Sequence, residues 1–157
     1  MNPERLAELL DRHAGALALY AARWTAAPDD VVQEAFVRLV GADPPPDRPV
    51  AWLYRVVRNL ALSARRSDSR RRRREAVTAR LEIDTADGWT AAEVGDALEQ
   101  LDDDTREIVV AHVWGGLSFA EIAELAELSA SAAHRRYQAG LATLRTALDQ
   151  PCTNRTI

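Results

Sequence analysis

Apolar residues recur at spacings of three and four along nearly the whole chain, and no stretch alternates apolar with polar long enough to make a half-buried strand. That pattern restricts the chain to helices packed on helices, so the expected fold class is all-α. "NPER" offers Asn2 as a cap and Pro3 at the first helical position. From there a stripe of Leu6, Leu9, Leu10, Leu17 and Ala21 runs toward Trp24. "TAAPDD" ends this helix and caps another over 29–41. The consecutive prolines of "GADPPPDRP" cannot be helical and predict a stiff loop before a third helix.

That third helix, "AWLYRVVRNLALSARR" over 51–66, carries two faces. Leu53, Val56, Val57, Leu60, Ala61 and Ala64 share an arc wide enough to lie on a core. Arg55, Arg58, Asn59, Arg65 and Arg66 fill the other arc, with Trp52 and Tyr54 at its borders and Leu62 as its one apolar break. Such a face is either a solvated surface with snorkelling arginines or a nucleic-acid surface. The second reading gives guanidiniums to phosphates, flat rings to bases and an amide to a base edge.

Residues 75–96 change character: apolar periodicity weakens, acids accumulate, and Gly88 and Gly95 interrupt. They read as an acidic linker between two small helical domains. Thr90 and Glu93 form a capping-box pair for a helix near 91–101, and another helix near 104–114 stops at Gly115 and Gly116. "SFAEIAELAELSASAAHRRYQAGLATLR" then opens with Ser118 and Glu121 in capping-box spacing and gives a short helix to about Ala126. After a tight turn, Ser129 caps a longer helix that buries Ala133, Tyr137, Leu141, Leu144 and Leu148 and turns Ser131, His134, Arg135 and Gln138 outward. This is a helix-turn-helix arrangement. Two residues strain it: Glu127 sits where such turns usually take Gly, and Ala133 is small for a buried recognition-helix site.

The net charge of −4 conceals segregation, because residues 55–80 hold 10 Arg against 2 acids and residues 81–107 hold 1 Arg against 10 acids. A polarised chain presents local potentials to its partners, so an acidic total does not argue against nucleic acid. The histidines, His13, His112 and His134, are scattered without ligand-spaced partners, so neither a metal site nor an enzyme is expected. No cofactor motif is present, since "GGLS" lacks the spaced glycines and Lys of a phosphate loop. The single Cys152 and the N-terminal "MNPERLAELLDRH", which is no signal peptide, suit a cytoplasmic protein.

The order of these parts resembles the bacterial sigma factors of the extracytoplasmic-function group. "DDVVQEAF", "PVAWLYRVVRNLAL" with arginines after it, an acidic linker, "ALEQLDDDTREIVVAHVWGGLSFAEIAEL" and a recognition helix ending in "LATLR" carry that resemblance over about residues 5–148. It implies a region 2-like domain at 1–74, a linker at 75–96, a region 4-like domain at 97–150 and a tail at 151–157. The implied partners are RNA polymerase core, double-stranded and melted promoter DNA, and an anti-sigma protein.

The resemblance also assigns residues. Core polymerase docks on Asp29, Asp30, Gln33, Glu34 and Val37, opposite a buried arc of Val32, Ala35, Phe36, Leu39 and Val40. The minus-ten element meets Trp52, Tyr54, Arg55, Arg58, Asn59, Arg65 and Arg66, with a base pocket in the loop from Gly41 to Pro49 and duplex phosphates on Arg70 to Arg74. The minus-thirty-five element meets Ser118, Ser129, Ser131, His134, Arg135, Arg136 and Gln138, Arg136 reaching phosphate. The acidic linker, with Glu82, Asp84 and Asp87, would suit the polymerase's transcript exit path. The competing reading is a helix-turn-helix regulator that acts without core polymerase, which leaves residues 29–74 without a task.

Overall fold

A computed structural model describes residues 2–64 and 89–149, and among these the regular structure is seven helices. The first three are α1 (Pro3–Ala21), α2 (Pro28–Val40) and α3 (Pro49–Ala64). Each opens on a proline, whose fixed φ suits the first helical turn and whose missing N–H would have had no partner there. Asn2 caps α1 by accepting from the Glu4 amide at 3.0 Å. α1 packs on both α2 and α3, and α2 packs on α3, so the three close into a bundle.

The second unit consists of α4 (Ala91–Glu99), α5 (Asp103–Val113), α6 (Phe119–Ala126) and α7 (Ala130–Asp149). Capping boxes start α4, from Thr90 and Glu93, and α6, from Ser118 and Glu121. Asp102 caps α5 by accepting from the Thr105 amide at 3.0 Å. α7 is the hub, touching α4, α5 and α6. It approaches α5 closely at Gly140, where a Cβ would stand 2.7 Å from the Thr105 methyl and 3.0 Å from a Val109 methyl. The 91–96 stretch assigned above to the linker is therefore the opening of α4 and packs with the second unit. The rest of the linker, with Glu82, Asp84 and Asp87, lies outside the described residues, as do Arg65, Arg66 and Arg70 to Arg74.

The two units share a packed interface, α1 against α5 and α3 against α6. Every residue from Ala16 to Ala22 is buried, because α1 has its own bundle on one side and α5 on the other. Residues 105–111 of α5 are buried for the same reason, the charged Arg106 and Glu107 included. No helix among the described residues is long and apolar enough to cross a membrane.

Candidate nucleic-acid interface

On α2, Val31, Val32, Ala35, Phe36 and Leu39 face the core. Val40, expected in that arc, is 55% exposed, and Val31 is buried instead. The reason is geometric: Val40 and Leu10 both line a groove of about 580 Å³ between α1 and α2 that nothing among the described residues fills. Leu10, expected in the α1 stripe, is accordingly 44% exposed. Asp29, Asp30, Gln33, Glu34 and Val37 are all exposed, and Asp29, Gln33 and Val37 border the groove. Glu34 accepts from Arg38 one turn on, at 2.9 Å. The outcome is an acidic and amide rim beside an apolar trough.

On α3, Leu53, Tyr54, Val57 and Ala61 are buried, whereas Arg55 and Asn59 are exposed. Trp52 is half-buried and lines a cleft with Arg48, Arg55, Glu121 and Glu124. Tyr54 departs from expectation, being fully buried rather than bordering an open polar arc. Its ring meets Tyr20 edge-on at 4.9 Å, and a Cβ on Gly115 of the second unit would lie only 2.8 Å from it. The second unit has covered this border of the helix. Desolvation pushes the Tyr54 hydroxyl far above its ordinary pKa, and the hydroxyl has no hydrogen-bond partner.

The arginines of α3 are also engaged. Arg55 reaches Glu124 at 3.3 Å. Arg58 donates to Glu107 at 3.2 Å, lies 3.9 Å from Glu127, and sits 5.8 Å from the centre of the Trp24 ring. Glu107 collects two more donors across the same interface, the Tyr20 hydroxyl at 2.7 Å and Arg23 at 2.6 Å. Arg23 also pairs with Asp104 at 2.7 Å, and Arg48 with Glu121 at 2.9 Å. Burial and the Glu107 carboxylate together raise the Tyr20 hydroxyl well above its usual range. Deleting one member of such a buried set costs about 3–5 kcal/mol, because it strands the remaining charges. Helical periodicity does not reveal this network, because Tyr20 and Glu107 are 87 residues apart. The available signal is a carboxylate at the head of the apolar run "IVVA".

In the second unit, α6, its turn and α7 form the expected motif. Glu127 adopts the left-handed conformation, φ 57° and ψ 46°, that makes the turn tight. Ser118 is exposed but engaged in its capping box, and Ser129 accepts from the Ala132 amide at 3.2 Å. Ser131, His134, Arg135 and Gln138 are exposed on one side of α7 and Ala133 and Gly140 are buried on the other, while Arg136 is exposed on the flank nearer the buried side. Tyr137, Leu141, Leu144 and Leu148 are half-buried. His134 lies edge-on to Phe119, at the start of α6, with ring centres 5.0 Å apart. Arg136 pairs with Asp104 at 3.2 Å, and Arg135 makes no ion pair among the described residues.

The remaining histidines are structural. The His112 ring stacks on Phe119 at 4.4 Å, and its Nδ1 lies 2.7 Å from the Leu117 carbonyl oxygen, to which it donates, pinning the turn after α5. His13 is buried against the second unit with its Nδ1 unpartnered. Desolvation and the nearby Arg12 charge hold its pKa below the ordinary histidine value, against a raising hydrogen bond to the Trp114 backbone.

Comparisons with known proteins agree with this geometry. The family model described as Sigma-70 region 2 matches residues 9–71, and that described as Sigma-70, region 4 matches residues 91–144. The chain is 32% identical over 154 residues to the RNA polymerase sigma factor CarQ of Myxococcus xanthus, covering 91% of this chain and 88% of that protein. It is 31% identical over 160 residues to the ECF RNA polymerase sigma factor SigL of Mycobacterium tuberculosis, covering 90% and 88%. Among solved structures, CnrH in complex with the cytosolic domain of CnrY superposes with a TM-score of 0.58 at 30% identity, over 94% of this chain and 90% of that one. The sigma factor RpoE of Bartonella quintana, in complex with the anti-sigma factor NepR, shares the fold with a TM-score of 0.65 at 17% identity, over 94% and 98%. The chain belongs to the sigma-70 family, as a sigma factor of the extracytoplasmic-function group that binds RNA polymerase core and promoter DNA and directs transcription initiation.

Proposed function

We propose that three exposed faces divide this work. The rim of α2, with Asp29, Asp30, Gln33, Glu34 and Val37, docks on core polymerase, and the apolar trough beside it supplies the desolvated area that a protein interface needs. The polar side of α3, with Trp52, Arg55, Arg58 and Asn59, holds the melted minus-ten strand by stacking, amide contact and phosphate pairing. Ser131, His134, Arg135 and Gln138 on α7 read the minus-thirty-five major groove, where Arg suits guanine and Gln suits adenine, and Arg136 reaches phosphate. Ser118 and Ser129 keep their caps and stand at helix N-termini, where backbone amides attract phosphate. The protein is non-catalytic, the bond-forming chemistry being the polymerase's, and it works in the cytoplasm beside that enzyme. An anti-sigma protein is a second class of partner, as the CnrH and RpoE complexes illustrate for those proteins.

The carrying observation is the outward array on α7 opposite a buried Ala133 and Gly140, on the second helix of a tight turn. Run-off transcription with core polymerase and selected promoter fragments tests the division. Arg135→Ala should lose promoter selection with core affinity intact, whereas Asn59→Ala should keep both and lose the permanganate-reactive bubble. A normal bubble from folded Asn59→Ala protein would remove α3 from strand capture.

A further inference from the structure

His134 and Gln138 stand one turn apart on the outward side of α7, both exposed, with Gln138 Nε2 3.5 Å from His134 Nε2. An amide nitrogen carries donors only, so in this pairing the imidazole nitrogen accepts and His134 holds its proton on Nδ1. The His134 ring is itself held, since it meets Phe119 edge-on with ring centres 5.0 Å apart and planes at 88°. Phe119 stacks on His112 at 4.4 Å and 19°, and His112 Nδ1 donates to the Leu117 carbonyl oxygen at 2.7 Å. Tyr137 completes the group, edge-on to His112 at 4.7 Å. A long, flexible side chain on α7 is thus tied, through three rings, to the backbone of the turn before α6.

What the tie does follows from the chemistry of an amide. A free Gln side chain turns about its last torsion between two roughly equivalent orders of oxygen and nitrogen. The two orders suit different bases. When Nε2 gives one N–H to His134, the groups left over are one N–H and the Oε1 lone pairs, a donor beside an acceptor. Adenine presents the complement in the major groove, its N7 accepting and its N6 amino group donating. In the reverse order the imidazole donates to Oε1 and both N–H groups are left over, which suits the two acceptors of guanine, N7 and O6. His134 therefore sets the order, and the ring stack sets where His134 stands. Holding these atoms before DNA arrives also removes part of the cost of ordering a side chain at an interface.

We infer that His134 is a positioning residue that sets Gln138 to read adenine against guanine, with Phe119 as its mount. One base preference of the protein is then determined by aromatic packing between α6 and α7, and His134 contributes to it through Gln138. This rests on the reading of α7 as the helix in the minus-thirty-five groove.

The test uses holoenzyme assembled from core polymerase and the full chain. It selects duplexes randomised across the minus-thirty-five element and joined to the minus-ten half of a promoter the holoenzyme transcribes, and base frequencies are read at each position. Gln138→Ala identifies the base pair that Gln138 meets, as the position where adenine enrichment disappears. His134→Ala should reduce adenine over guanine at that same position by about tenfold, within the range for one bidentate contact, and leave the other positions as they were. Both are exposed positions inside a helix, where Ala is the best-tolerated residue. Phe119→Leu keeps an apolar side chain without the ring and should relax the same position, whereas Phe119→Tyr keeps the ring and should hold the preference. The double variant of His134→Ala with Gln138→Ala should select as Gln138→Ala alone does, because positioning has nothing left to act on. An intact adenine preference in His134→Ala overturns the inference, and so does relaxation at a different position, which would make His134 a reader of its own base. Guanine enrichment by the unaltered chain at the Gln138 position overturns it too. An even loss at every position with Phe119→Leu removes Phe119 as the mount. If Gln138→Ala shifts no position, the reading of α7 has failed at this residue and the inference with it. If Gln138→Ala shifts one position and His134→Ala does not, the inference alone has failed.

Discussion

Glu127 holds the turn of the helix-turn-helix in a conformation that L-residues adopt at a cost. A non-glycine residue there loses roughly 1–2 kcal/mol to contact between its Cβ and the carbonyl. The pair with Arg58, at 3.9 Å and with Glu127 largely exposed, returns little. Glu127→Gly should therefore stabilise the protein by about 1 kcal/mol, less than the full strain because glycine also frees the unfolded chain. In a molecule of this size that is a rise of about 2–4 °C in melting temperature by calorimetry, and a fall would mean the turn is held by the Glu side chain. This residue is legible in the sequence, because a turn between two capped helices fixes which position must be left-handed. Tyr54 is not: a helical wheel records only its own helix, and what buries Tyr54 is Gly115, on an element more than 60 positions away.

At the scale of the element, capping chemistry locates the helix starts well. Thr90 with Glu93, Ser118 with Glu121, and Pro3 are where local hydrogen bonding and fixed φ require them. Faces are read less well where an element ends. Val40 has core-like spacing, yet it points into the groove between α1 and α2, and Val31 at the other end is covered instead. α2 consequently presents one side whose polar groups the fold does not use, since Asp30 and Gln33 have no partner among the described residues and Glu34 has only Arg38. Charge reversal on this side should separate docking from stability. Asp30→Arg is expected to weaken core polymerase binding tenfold or more, about 1.4 kcal/mol, with a melting temperature nearly unchanged. Titration of core against labelled protein checks it, and equal affinity would make the rim an ordinary solvated surface.

At the scale of the molecule, the reading of two helical units follows from periodicity and the acidic stretch between them, but their embrace does not. Burial of a run such as Ala16 to Ala22 on every side needs partners from both units, and the pairing of Arg23 with Asp104 and Glu107 joins residues some 80 apart. Trp24 lies at the middle of that pairing, only 3% exposed. The Arg23 guanidinium is 4.9 Å from its ring centre, Arg58 is 5.8 Å away on the other unit-facing side chain, and Tyr20 meets it edge-on at 5.2 Å. An indole so placed is sensitive to its surroundings: its emission depends on whether water reaches it and on the fields of the cations beside it. The protein therefore carries its own optical gauge of assembly, with no dye attached. Raising the salt concentration screens the ion pairs around this ring, and the expected result is a red shift of tryptophan emission well below the concentration that melts the helices. Trp24→Phe should abolish that shift while the other indoles continue to emit, and a shift that persists would assign it to Trp52, Trp89 or Trp114. Read during mixing with polymerase, the same colour change would report in real time whether the surroundings of this ring change as the complex forms.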